Sequence, residues 1–215
     1  MYSVKEIYLT IQGEGGQTGL PAVFLRFAGC NLWNGLESGR NEAICKFCDT
    51  DFIGTDGPGG GKFKTASELA KAVASAWPDG QGERWVVCTG GEPLLQMDKD
   101  LIDALHAVNF KIAVESNGTI AAPDGIDWLC VSPKAGAPLK QTSGHELKLV
   151  FPQAENTPED FAHLDFQRFS LQPRDGTAEG SEAKNSAHLE AALAYTLAHP
   201  QWRLSLQTHK LIGIP

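Results

Sequence analysis

Three cysteines, Cys30, Cys45 and Cys48, carry the first chemistry the chain offers, in the spacing C-x14-C-x2-C. Thiolates are soft ligands that suit zinc or iron–sulfur clusters. A closed structural zinc site takes four ligands, and this stretch supplies three with no adjacent histidine. Three cysteines do suit a 4Fe–4S cube with one iron left uncapped, free to bind a reactant. Taken alone, the Cys45–Cys48 pair also matches half a zinc ribbon. Cys88 and Cys130 sit inside apolar runs and read as core thiols. Arg26 interrupts the apolar run Ala22–Phe27. Its fork matches a carboxylate, or its head simply reaches solvent.

The elements that must position these residues alternate along the chain. Strand patterns cover 4–11, 22–27, 85–88, 110–114, 128–131, 146–151, 169–171 and 202–206. Thr65-Ala66-Ser67-Glu68 is a capping box opening a helix through Leu69, Val73 and Trp77. Asp98 opens a second helix, and 187–197 forms a third; 158–164 fits two helical turns. Gly54–Gly61 imitates a phosphate loop but has Asp56 and Phe63 where glycine and Ser or Thr are needed, so it reads as a mobile surface loop. The excursion 31–44 has no decisive pattern. About six parallel strands with only three long helices predict an α/β fold, a trimmed and open barrel forming one domain over 1–215. Most strands end in polar or glycine-rich clusters, the rim where such folds bind ligands.

Composition fits a single enzyme domain. The 215 residues are 42% hydrophobic with a formal net charge of −8, which argues against a broad nucleic-acid or membrane surface. No run approaches the ~18 apolar residues of a membrane span, and no signal-peptide pattern follows Met1. Clustered cysteines point to metal binding in a reducing compartment, hence the cytoplasm.

Gly90-Gly91-Glu92-Pro93 after an apolar run, with Phe47 just before Cys48, resembles the radical S-adenosylmethionine enzymes. The usual first gap there is three residues. The fourteen-residue gap and the Cys48-Asp49-Thr50 ending look like one subfamily, the 7-carboxy-7-deazaguanine synthases of queuosine biosynthesis, over nearly the whole chain. The resemblance implies a 4Fe–4S cluster on Cys30, Cys45 and Cys48, and S-adenosylmethionine beside Phe47, Gly90, Gly91, Glu92, Ser116, Asn117, Ser132, Pro133, Lys134, Gln172, Pro173, Arg174 and Asp175. It places substrate against Ile11, Gln12, Gly13, Glu14, Arg26 and Thr89, and Mg2+ on Thr50. It implies conversion of 6-carboxy-5,6,7,8-tetrahydropterin to 7-carboxy-7-deazaguanine with loss of ammonia, a reductant such as flavodoxin, and a homodimer. Asp49 and Asp51 beside Thr50 would hydrogen-bond the magnesium's ligands or are solvated acids.

The apolar stretch Leu211–Pro215 has a reason to pack: as a cover for the barrel bottom, or, as the resemblance implies, with Pro215 reaching the substrate. Two other readings stay open: an activase that makes glycyl radicals, against which the long first gap counts, and a non-catalytic metal-binding module.

Overall fold

Two-residue alternation along the strands builds this molecule and decides which side chains meet. The structure is a computed structural model that describes residues 1–80, 82–176 and 182–215. Its strands are β1 (Tyr2–Ile11), β2 (Pro21–Phe27), β3 (Gly61–Phe63), β4 (Arg84–Gly90), β5 (Phe110–Ser116), β6 (Trp128–Val131), β7 (Ser143–Phe151), β8 (Asp165–Pro173) and β9 (Trp202–Leu204). They form one sheet in the order β3-β1-β2-β4-β5-β6-β7-β8-β9. From β2 through β9 every neighbour pairs in parallel, whereas β1 lies antiparallel on β2 and β3 antiparallel on β1. The expected open parallel architecture is present, with an antiparallel flap at one edge.

The helices are α1 (Ala66–Ala76), α2 (Lys99–Ala107), α3 (Glu182–Ala198) and the short α4 (Thr208–Ile212). Thr65 and Glu68 form the expected capping box on α1, worth about 1 kcal/mol for such a cap. Asp98 caps α2 by accepting from the Leu101 amide.

On one face of the sheet Val23, Leu25, Phe27, Val86, Cys88, Ile112, Val114, Leu147 and Leu149 are buried with Leu69 and Val73 of α1 and Leu101, Ile102 and Leu105 of α2. Each such side chain contributes about 1.5–3 kcal/mol by leaving water. Residues of the opposite parity, among them Phe24, Arg26, Thr89, Glu115, Lys148 and Gln172, face the other way, because successive strand side chains alternate. That second face carries the chemistry.

Three expectations need correction, and one segment left open takes a form. The glycine-dense loop is laid against β1 rather than free: Ile7 donates to the Pro58 carbonyl at 2.7 Å and Gly57 to Lys5 at 3.0 Å. A Cβ on Gly60 would stand 2.2 Å from the Lys5 carbonyl, so only glycine allows the approach that delivers β3. The segment 158–164 makes one 3-10 turn, Pro158–Asp160, before β8 begins. The excursion 31–44 contains a 3-10 helix, Glu37–Glu42. Finally, the last strand stops at Leu204 and the chain turns into α4. None of the described helices is long and apolar enough to cross a membrane.

Candidate active site

Cys30 follows the end of β2, and Cys45 and Cys48 return to it after the excursion. That excursion is a packed wall. Trp33 meets Phe52 edge-on at 5.5 Å between centroids, and the Arg40 guanidinium lies 4.0 Å over the Trp33 ring. Arg40 donates to the carbonyls of Lys46 and Cys48, both at 3.0 Å, while Glu37 pairs with its Nε at 2.7 Å. A cation thus ties the excursion to the Cys45–Cys48 turn.

The thiols are unlike one another. Cys45 hydrogen-bonds to Cys48, which raises the Cys45 pKa and lowers that of Cys48 to about 6 against the pull of burial. Burial pushes Cys30 up. One thiolate is therefore already favoured, the form that binds metal. All three cysteines line one cavity, yet among the described residues no three His, Cys, Asp or Glu side chains converge tightly enough to hold a single metal ion. Three thiols lining one cavity suit a 4Fe–4S cube with one iron left uncapped.

Gly90 and Gly91 close the floor of that cavity. A Cβ on Gly91 would lie 1.9 Å from the Gly29 carbonyl, and one on Gly90 would lie 2.2 Å from that of Phe27. These glycines let β4 press against the backbone that leads into Cys30, and the Glu92 amide donates to Gly29 at 2.9 Å. Glu92 itself is fully buried. Its carboxylate accepts from the Leu94 amide at 3.0 Å, Ser116 Oγ at 2.9 Å and the Asn117 amide at 2.7 Å. Burial raises its pKa. Glu92 thus lies behind the cavity wall and joins the β4 rim to the β5 rim.

The rim clusters converge. Phe47, Gly90, Gly91, Ser116, Asn117, Ser132, Lys134 and the run from Gln172 to Asp175 line the cysteine cavity. A second cavity is lined by Ile11, Gln12, Phe24, Arg26, Asp51, His209 and Pro215. Glu14, Asp49, Thr50, Thr89, Glu115 and Gln207 line both and form their common wall. Two expected residues stay outside. Pro133 is buried and offers its carbonyl to Gln153 at 3.2 Å. Gly13 is buried against His209 and accepts from the Thr208 amide at 2.9 Å.

The second cavity is strongly charged. Arg26 donates through Nε to Glu6 at 2.7 Å and through a terminal nitrogen to Tyr8 at 3.0 Å. From the cysteine-cavity side of the shared wall, Lys148, only 3% exposed, bridges Glu14 at 2.6 Å and Glu115 at 3.0 Å. Burial would raise the Glu14 pKa, but Lys148 and Gln207 hold it down to about 2. Burial dominates at Glu115 and raises its pKa. At Lys148 burial works against the charge, but the flanking carboxylates outweigh it and the ammonium persists. Burial lowers His209 below its ordinary value. Pro215 is tied down by Thr10, whose hydroxyl donates to its carbonyl at 2.9 Å, so the tail reaches this rim and does not cover the barrel bottom.

Sequence reasoning passed over Arg40, Glu115, Glu146 and Lys148. For the last two a signal existed: Glu146-Leu147-Lys148-Leu149 sets two charges at alternate positions of an apolar strand, which puts both on one face. Glu115 ends such a strand in the same way. Arg40 sits in a polar excursion and had no signal.

No protein-family model matches the chain. It is 63% identical over 214 residues to the 7-carboxy-7-deazaguanine synthase of Caulobacter vibrioides, spanning 100% of this chain and 99% of that protein. The Bordetella pertussis protein of the same name is 61% identical over 214 residues, again spanning 100% and 99%. Among solved structures, QueE from Escherichia coli superposes with a TM-score of 0.64 at 26% identity, over 97% of this chain and 94% of that one. With identity this high from end to end, and three cysteines around one cavity at the rim of an open parallel sheet, the chain belongs to the 7-carboxy-7-deazaguanine synthase family of radical S-adenosylmethionine enzymes.

Proposed function

We propose that this chain converts 6-carboxy-5,6,7,8-tetrahydropterin to 7-carboxy-7-deazaguanine with loss of ammonia, as a radical S-adenosylmethionine lyase in queuosine biosynthesis. One observation carries this: a cavity rimmed by three cysteines shares a wall with a cavity holding a carboxylate-matching arginine. Cys30, Cys45 and Cys48 would hold a 4Fe–4S cluster. The cluster and S-adenosylmethionine, when bound, supply the radical that removes a substrate hydrogen; such chemistry belongs to the cofactor. The chain binds, orients and shields.

Lys134 is held ready at the cysteine cavity, its ammonium donating to the Ser132 carbonyl at 2.7 Å and Oγ at 2.6 Å. Asn117 donates to Asn31 at 3.0 Å, which docks the β5 rim beside Cys30. Arg26, with Nε already occupied by Glu6, presents its remaining donors to the substrate carboxylate. Glu14 and Glu115, on the shared wall, are placed to accept from the pterin's N–H groups. Thr50 and Asp49 lie on that wall too, where Mg2+ would bind oxygen ligands and keep several waters. A one-electron reductant such as flavodoxin would serve the cluster. Exposed Leu189, Leu193 and Leu197 along α3 offer an apolar face for a homodimer, and five free cysteines support a cytoplasmic setting.

The test is anaerobic. Reconstituted protein given S-adenosylmethionine, a one-electron reductant and the carboxypterin is expected to release ammonia and 7-carboxy-7-deazaguanine, identified by mass. Cleavage of S-adenosylmethionine with the pterin left unchanged would reject the substrate assignment. An iron–sulfur chromophore together with cleavage of S-adenosylmethionine would exclude a non-catalytic metal-binding module.

A further inference from the structure

Helix α4 and its flanks touch the loops that frame both cavities. The Thr208 amide donates to the Gly13 carbonyl at 2.9 Å, and Gln207 donates to Glu14 at 2.9 Å. Thr10 reaches the Pro215 carbonyl. Lys210 reaches the opposite way. Its ammonium stands 2.6 Å from Asp49, next to Cys48, and 2.5 Å from Asp175, just past the end of β8. These partners are 161 and 35 residues away along the chain. Asp49 lines both cavities, and Asp175 lines the cysteine cavity.

Besides these contacts and the packing of His209 on Gly13, little fixes the helix in place. Its five residues are far short of the ~12–15 that let a helix persist unaided. It ends at Gly213 in the left-handed region, φ 72°, and Leu211 and Ile212 are exposed. Polar contacts therefore set its position, and Lys210 is the one that reaches the cysteine loop and the β8 end together.

We propose that Lys210 is a positioning residue: it clasps Asp49 to Asp175, so that the two cavities take shape together and each ligand helps the other to bind. This rests on the reading that one cavity takes S-adenosylmethionine and the other the carboxypterin. Without the ammonium, the bridge between the cysteine loop and the β8 end is lost. Each ion pair is partly exposed and modest in strength. A strap ordered by one ligand favours the second, and by linkage the benefit is reciprocal.

The test compares Lys210→Met and Lys210→Arg in cluster-reconstituted protein. Hydrogen exchange without ligands is read first. Lys210→Met is expected to speed exchange at residues 45–53, 174–176 and 207–215 together, with Lys210→Arg close to wild type. S-adenosylmethionine is then titrated with and without the carboxypterin. Wild type is expected to bind more tightly with the pterin present. Lys210→Met should bind about fivefold to tenfold more weakly, the size of two partly exposed ion pairs, and lose the enhancement with iron content unchanged. Acceleration confined to 207–215, or none, overturns the clasp. Should Lys210→Met fail to fold, Asp49→Asn removes one arm and its hydrogen exchange is read in the same way. A wild type that binds no S-adenosylmethionine counts against the functional reading, while the exchange measurement still decides the clasp.

Discussion

The two cavities share a wall but are built by different means. Around the cysteines, the walls are sulfur, strand-end backbone and polar side chains, Lys134 and Lys148 among them, held by close approaches such as Gly91 against Gly29. Around Arg26, the walls are charged side chains from β1, β2, β5 and the tail, held by ion pairs such as Glu6–Arg26 and, through the shared wall, Glu14 with Lys148. The first is shaped by where the backbone can go. The second is shaped by where charge is neutralised. Damage to the first should therefore be all-or-none, and damage to the second graded.

The largest expected effect breaks the first cavity alone. Cys45→Ala should remove the iron and all turnover, read as loss of the iron–sulfur absorbance after reconstitution. Retained iron with turnover would remove Cys45 from the ligand set. Next, Arg26→Lys keeps the charge but not the fork. Carboxypterin affinity is expected to fall roughly tenfold to a hundredfold, about 1.4–2.8 kcal/mol, with S-adenosylmethionine affinity unchanged. Separate titrations decide it, and equal losses would mean Arg26 supports the fold only. A short extension after Pro215 should act in the same direction and less, raising the substrate KM about tenfold with iron content untouched. If KM and kcat match those of the unextended protein, Pro215 packs without touching substrate. Smallest is Cys88→Ala. This thiol is fully buried, with its pKa pushed up to about 12 by burial alone. Full iron and activity are expected, with a stability loss of about 1 kcal/mol from a small cavity. Lost iron here would redraw the ligand loop.

The same contrast explains what could be read from residues alone. The cysteine cavity was legible because its parts are consecutive: C-x2-C, Gly-Gly-Glu-Pro and the polar strand ends are local words. What the residues alone do not show is that the missing side chains of Gly90 and Gly91 also make room for Phe27 and Gly29, a contact that only the sheet order creates. Nor does anything local show that Glu92, besides Leu94 two residues on, meets Ser116 and the Asn117 amide at the end of β5. At the wall the two cavities share, the decisive pairs are long-range. Lys148 and Glu14 are 134 residues apart, so each reads alone as a solvated charge. The strand pattern was legible because it is periodic. β3 was not, since Gly61–Phe63 has no pattern and exists because the Gly57–Gly60 backbone can lie on β1.

The two margins of the sheet bear on how this molecule behaves among its own copies. An open sheet leaves a row of unsatisfied amides and carbonyls at each end, a template for any passing extended chain. Here the outermost strands, β3 and β9, are three residues each. Lys62 on one and Arg203 on the other point a cation outward. Brevity and charge together deny a stranger the length it needs to add a tenth strand. The barrel can therefore stay unclosed, with its mouth free for ligands, without inviting fibres.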